Sequence, residues 1–203
     1  MPGFRVRIDG EEIAAVSTDS LNLLSVSVRG DVVGRDLASV EVSGGYYADD
    51  AENTHLIWVD DYELTDQDSV QIEFLESIST ATPGKSIEEL YPDSAGLGKA
   101  PLDLPSLAQE LKAIGTELKQ KPRMRPGFSL RVIVGNEDPA VFNTKPEDFC
   151  FSLSLRWRWV KPQKALLWLS TTTIENIVQQ RDGERLLCQD LVFNDTIEFS
   201  VGT

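Results

Sequence analysis

The stretch FCFSLSLRWRW at residues 149–159 sets Phe149, Phe151, Leu153, Leu155, Trp157 and Trp159 on one side. Cys150, Ser152, Ser154, Arg156 and Arg158 fall on the other. Successive side chains of a strand point to opposite faces, so this run predicts a strand with one face in a core and one toward water. The same alternation recurs on both sides of it. Upstream it is carried by Phe4, Val6 and Ile8, by Leu24, Val26 and Val28, by Val40 and Val42, and by Val70, Ile72 and Phe74, with a short apolar run at 56–59. Downstream and just before it lie Phe128, Leu130, Val132 and Val134, the run 165–170, and Ile197, Phe199 and Val201.

Turn residues separate these runs. Asp9-Gly10 tolerates positive φ and predicts a hairpin returning through residues 13–16. Gly44-Gly45 ends a strand, and Lys161-Pro162 turns the chain back into 165–170. Asp182-Gly183 predicts a hairpin between 174–180 and 184–193. The alternative for TTTIENIVQQ, residues 171–180, is a helix, because Thr172 and Glu175 have capping-box spacing; the hairpin is preferred. Residues 77–125 read differently. The part from 77 to 101 is rich in Ser, Thr, Pro and Gly and reads as a connection, with SIEE at 86–89 spaced to start one helical turn. Leu107, Leu111, Ile114 and Leu118 make one helical stripe, which predicts a helix over about 104–119, capped by Asp103 or Ser106. The expected fold is therefore mainly β: two related antiparallel β modules, sandwich-like, at 1–76 and 126–203, joined by a linker (77–125) with one α-helix.

Two stretches echo each other. PGFRVRI at 2–8 resembles PGFSLRV at 126–132, and LSVSVRG at 24–30 resembles FSLSLRW at 151–157, offsets of 124 and 127 residues. DSVQIEF at 68–74 has its counterpart in DTIEFSV at 195–201. An internal duplication with a pseudo-twofold axis accounts for this order; shared demands of half-buried strands are the competing account.

Composition narrows the function classes. The chain has 203 residues, 41% of them apolar and 26% charged, with a net charge of −14. This surface repels phosphate, so neither nucleic acid nor an anionic membrane is expected as a partner. The start, MPGFRVRIDGEEI, has no apolar signal-peptide run, which points to a cytoplasmic protein. His55 is the only histidine and the two cysteines are Cys150 and Cys188, expected as buried thiols in strands, their pairing left open. One imidazole cannot build a His-rich zinc site, and no G-x-S-x-G, P-loop or G-x-G-x-x-G occurs. No cofactor and no catalytic residue are expected. Trp157, Trp159 and Trp168 are read as core rather than a ligand platform, and Arg156 and Arg158 as partners for acids of the first half.

Charge is divided unequally. Residues 1–76 hold seventeen acids and four bases, while residues 126–203 hold ten acids and eight bases. Within the first half, Asp49, Asp50, Glu52, Asp60, Asp61, Glu63, Asp66 and Asp68 follow one another without an intervening Lys or Arg. A solvated surface, a docking face for a basic partner and a divalent-metal site compete for this run. DDAENTH lacks EF-hand spacing, and adjacent Asp60 and Asp61 in a regular strand would face opposite ways. Paired-carboxylate glycosidase chemistry would need a cleft that spacing cannot reveal. The docking face draws on Asp49, Asp50, Glu52, Asp60, Asp61 and Glu63 for charge, with Tyr46, Tyr47 and His55 as anchors. His55 also fits a strand-start histidine bonded to backbone.

Residues 44–76, GGYYADDAENTHLIWVDDYELTDQDSVQIEFLE, carry a resemblance. Gly44-Gly45, the His55-Leu56-x-Trp58 strand and the final Asp68-x-Val70-x-Ile72-x-x-x-Glu76 strand resemble the end of small acidic β-rich bacterial proteins of unassigned activity. Such proteins resemble the small acidic members of bacterial toxin–immunity loci. The resemblance covers structural motifs only and implies no catalytic residues. Together with the charge it implies a non-enzymatic binding protein, an immunity-type inhibitor that docks a basic effector or toxin. The alternative is a structural or assembly subunit that self-associates, or joins a larger complex, through β edges.

Overall fold

Strands with one apolar face must bury that face against another layer, and among the described residues twelve strands form two sheets around a shared core. The computed structural model describes residues 1–48, 53–79, 81–94 and 104–203. The strands are β1 (Gly3–Ile8), β2 (Glu11–Ser17), β3 (Leu23–Asp31), β4 (Ala38–Tyr46), β5 (Thr54–Leu64) and β6 (Ser69–Leu75), then β7 (Ser129–Val134), β8 (Ala140–Asn143), β9 (Cys150–Arg158), β10 (Ala165–Thr172), β11 (Glu184–Leu191) and β12 (Thr196–Gly202). Helices are α1 (Ile87–Leu90), α2 (Leu104–Gln120) and α3 (Ile174–Val178). None of the described helices is long and apolar enough to cross a membrane.

One sheet runs β2-β1-β6-β12-β7-β8 and the other β11-β10-β9-β3-β4-β5, with every pairing antiparallel. Each half of the chain supplies three strands to each sheet, and the halves meet at the β6–β12 and β3–β9 pairs. In both sheets the order within one half is the mirror of the order within the other. Hydrogen bonds repeat with the strands. Thr18 N donates to Pro2 O as Thr144 N donates to Phe128 O, and Asp9 N donates to Ser69 O as Gly135 N donates to Thr196 O. Val32 N donates to Phe149 O as Trp159 N donates to Asn22 O. These pairs place β7 and β8 at 126 positions from β1 and β2, not at the 124 of the PGFRVRI echo. An alternating pattern looks the same after a shift of two residues, so similarity between strands left that register open.

The inner faces share one core. Phe4, Val6, Leu24, Val26, Val28, Leu153, Leu155 and Phe199 are all fully buried within it. Phe151 of β9 joins the sheets, its ring centroid 4.8 Å from Phe128 and 6.0 Å from Phe199. Trp157 sits in this core as expected, whereas Trp159 lies past the end of β9 and is exposed, and Trp168 stands on the outer face of β10. The second cysteine differs too: Cys188 is exposed on β11 and Cys150 partly buried on β9, both free, with β10 between their strands.

The connections depart further from the expected pattern. Residues 174–178 form α3 rather than a hairpin arm, because Thr173 Oγ1 caps the helix by accepting from Asn176 N. β11 therefore pairs with β10. β8 was hidden in the sequence because its four residues, two exposed and two partly buried, carry too little alternation. Gly44-Gly45 does not stop β4, which continues to Tyr46. The capping box at α1 forms as expected, Ser86 Oγ accepting from Glu89 N and Glu89 accepting from Ser86 N.

Helix α2 has the predicted extent; its candidate cap Asp103 is outside the described residues. The buried position on its stripe is Gly115, not Ile114, which is 47% exposed. A glycine lets α2 approach α3 so closely that a Cβ there would overlap Val178 Cγ2. Gly115→Ala would stabilise an isolated helix by ~1 kcal/mol. Here it is expected to destabilise by about 1–3 kcal/mol, as overpacking does. Thermal unfolding, with amide exchange across α2, checks this.

Candidate functional site

Of the predicted docking residues, His55, Asp60, Asp61 and Glu63 lie on β5, an edge strand. Its pairing with β4 is irregular: Val40 faces Tyr62 and Val42 faces Val59, so Asp60 and Asp61 together oppose the single Glu41. This is a β-bulge, and Asp61 takes a φ of 53° to make it. Asp60 and Asp61 are consequently both exposed, instead of alternating as in a regular strand. Glu63 is exposed as well. The Tyr91 hydroxyl, just after α1, donates to Asp60. That hydrogen bond, then burial, then the charges of Asp60, Asp61 and Glu41 raise the Tyr91 phenol above its ordinary pKa. Glu88 and Glu89 of α1 are exposed nearby on the same connection. Among the described residues no group of three or more metal-ligating side chains converges.

His55 lies at the other end of β5, about 15–20 Å away at the rise of an extended strand, with Tyr46 and Tyr47 beside it at the end of β4. The Tyr47 hydroxyl and His55 Nδ1 share a hydrogen bond. Asn22 holds the Tyr47 backbone at both ends, donating to its carbonyl (2.6 Å) and accepting from its N–H (3.0 Å). Tyr46, Tyr47 and Trp159 line a recess of about 290 Å³ with Leu21, Asn22 and Ala48. Asp49, Asp50 and Glu52 lie outside the described residues. The expected site thus divides into an acidic half and an aromatic half.

A second feature crosses the outer face of the same sheet. Ser25 and Ser27 of β3, Ser43 of β4, and Ser152 and Ser154 of β9 form the floor of a depression of about 300 Å³. Small side chains leave the middle of the sheet low, while Tyr47 and His55 rise on one side and Arg156 and Trp168 on the other. Beyond Arg156 and Trp168 the depression continues as a groove of about 380 Å³ between the β9–β10 turn and β11. Arg158, Lys161, Lys164 and Arg185 line it, together with exposed Val160 and Leu166. The expectation that Arg156 pairs with an acid of the first half is corrected: its guanidinium lies 4.7 Å from the Trp168 ring centroid and ends in no described ion pair. Burial and then the neighbouring Arg158 charge lower its pKa. Alternating Arg and Trp were visible in the sequence, but their outward placement on adjacent strands was not.

No protein-family model matches the chain, and no curated protein or solved structure shows detectable similarity to it.

The two thiols provide a check on the geometry of this sheet. Burial, aided by the charges of Asp31 and Asp148, pushes the Cys150 thiol up to about 11. Only the thiolate reacts, so at pH 8 Cys150 is expected to alkylate about a hundredfold more slowly than an ordinary exposed thiol. Its rate should climb as pH rises toward 11. Exposed Cys188 should label first; mass spectrometry of iodoacetamide time courses reads both sites.

Proposed function

We propose that the protein is a non-enzymatic binding protein whose acidic β5 edge docks a basic protein partner. In its sharpest form it is a cytoplasmic bacterial immunity-type inhibitor covering a basic effector or toxin. The observation that carries this reading is the bulge that exposes Asp60 and Asp61 together, beside exposed Glu63, with none of the three in a described ion pair. Acids held outward on a strand steer a basic partner and select it, because complementary fields speed encounter. Tyr46 and Tyr47, 44% and 38% exposed, supply aromatic contact area at the far end of the strand.

The mirrored strand orders and repeated hydrogen bonds support a duplication of one six-stranded unit. On that account the charge was acquired by one copy, since residues 1–76 carry −13 and residues 126–203 carry −2. Acidity is then a property of use rather than of the architecture.

A second reading, assembly through β edges, draws on a difference between the two sides of the sandwich. Residues 82–85 stitch β2 to β5: Thr82 N donates to Ala15 O, Ala15 N to Thr82 Oγ1, and Lys85 and Ile57 exchange backbone bonds. The corresponding edges, β8 and β11, have no such partner among the described residues. Exposed backbone of that kind can pair with another chain.

The tagged protein and its Asp60→Lys/Asp61→Lys variant, used as baits in native cytosol at low and high salt, separate these readings. A basic protein held at low salt, released at high salt and lost from the variant is the expected result. Its association rate with the variant should fall by about tenfold or more, with a weaker salt dependence. Equal recovery by both baits removes the acidic edge from the function. Recovery of the protein's own copies, unchanged by the variant, favours edge assembly.

A further inference from the structure

Corresponding positions on the outer face of the second sheet differ in one respect that changes their chemistry. On β3 and β4, Arg29 stands diagonal to Glu41 and forms an ion pair with it. Glu41 also accepts a hydrogen bond from Ser43 Oγ at 2.7 Å. The same two places in the other half are held by Arg156 on β9 and Trp168 on β10. The register makes the correspondence: Ser27 faces Glu41 as Ser154 faces Trp168, and Arg29 faces Ser39 as Arg156 faces Leu166. Where one half has a carboxylate that neutralises its arginine, the other has an indole.

Among the described residues no carboxylate forms an ion pair with Arg156. Its Nε is buried without a hydrogen-bond acceptor, and its guanidinium lies over the Trp168 ring. A cation–π contact holds the guanidinium in place but does not satisfy its N–H donors. A partly desolvated charge without a counter-charge is costly unless something compensates it. Arg158, Lys161 and Arg185 line the same groove without a described ion pair; only Lys164 is matched, to Asp190 at 2.9 Å. Val160 and Leu166, 64% and 40% exposed, add apolar surface beside these cations.

We propose that this groove binds a small organic oxyanion, a phosphate or carboxylate head on an apolar body, with Arg156 as its anchor. A planar guanidinium offers two parallel N–H donors to such a head, the strongest form of charge-assisted pairing. Trp168 orients the anchor, and Val160 and Leu166 receive the body. A polyanion is disfavoured because the parts of it that reach beyond the groove meet a surface of net charge −14. A single head at the groove meets mostly the local cations, since charges beyond a Debye length of about 8–10 Å are screened. This site is independent of the acidic β5 edge.

Titration of the whole protein with phenyl phosphate, benzoate and inorganic phosphate, followed by ¹⁵N–¹H spectra, tests the proposal. The Trp168 indole resonance is assigned by its loss in Trp168→Phe. Phenyl phosphate or benzoate is expected to move it saturably, and the tighter of the two identifies the head group. Arg156→Gln should weaken binding by about tenfold or more, the size of one lost charge-assisted pair. Arg29→Gln, at the corresponding neutralised position, should leave it unchanged. Trp168→Glu rebuilds the ion pair of the other half and should abolish binding while keeping dispersed spectra and cooperative melting. Three results overturn the proposal: no saturable shift up to about 20 mM, where a millimolar site is filled; equal loss in Arg29→Gln and Arg156→Gln; or inorganic phosphate binding as tightly as both organic anions.

Discussion

The pairing of β3 with β9, from Leu23 opposite Arg158 to Asp31 opposite Cys150, is the seam on which the rest of the structure depends. Its counterpart in the other sheet, β6 with β12, is shorter, from Ser69–Ser200 to Glu73–Thr196. Each half alone would hold two three-stranded sheets with bare central edges, and backbone donors and acceptors there would be exposed. Joined at the seams, the halves close those edges on each other and bury Val26, Val28, Leu153 and Leu155 completely. Cohesion is therefore shared: the apolar faces supply the drive, and the seams decide which faces can meet.

A frame built this way presents equivalent positions twice, and it is the differences between them that carry chemistry. Arg29 is neutralised by Glu41, while Arg156 stacks on Trp168. The β2 and β5 edges are bridged by residues 82–85, and β8 and β11 are not bridged by any described residue. Acids cluster at the β5 end of the second sheet and cations at the β10–β11 end, with a serine-lined floor between. On the first sheet the outer charges are spent locally instead: Glu73 is held by both Arg5 and Arg7, and Arg131 by Glu198. Such surface and half-buried pairs add little stability each, but they match these arginines with carboxylates on the same face.

Much of the strand pattern was legible because alternation is local. Phe149 to Trp157, Phe4 to Ile8 and Val70 to Phe74 announce their faces within a few residues, and Ser86 with Glu89 announces a helical turn in four. Where the local pattern misleads, a distant contact decides the outcome, or, at α3, a cap one residue beyond the expected one. Gly115 rather than Ile114 is buried because α3 approaches at that point. Residues 174–178 are helical because Thr173 caps them and β11 has β10 to pair with. Asp60 and Asp61 share exposure because a bulge against Glu41 removes the alternation. Trp168 stands outward because Ala165, Leu167 and Leu169 take the inner face; with Leu166 beside it both faces of that run are apolar, and the local pattern does not say which turns inward.

The sequence by itself determined the period of most strands, the α1 capping box, the Asp9-Gly10 hairpin and the uneven charge, since each depends only on neighbours along the chain. Tertiary structure alone decided which strands are adjacent, which register the two halves share, and which arginine lacks a carboxylate. Those outcomes rest on residues such as Arg156 and Trp168, or Ile57 and Lys85, brought together from separate parts of the chain by burial of the common core. Alternation, which repeats every two residues, carries no information about such partners.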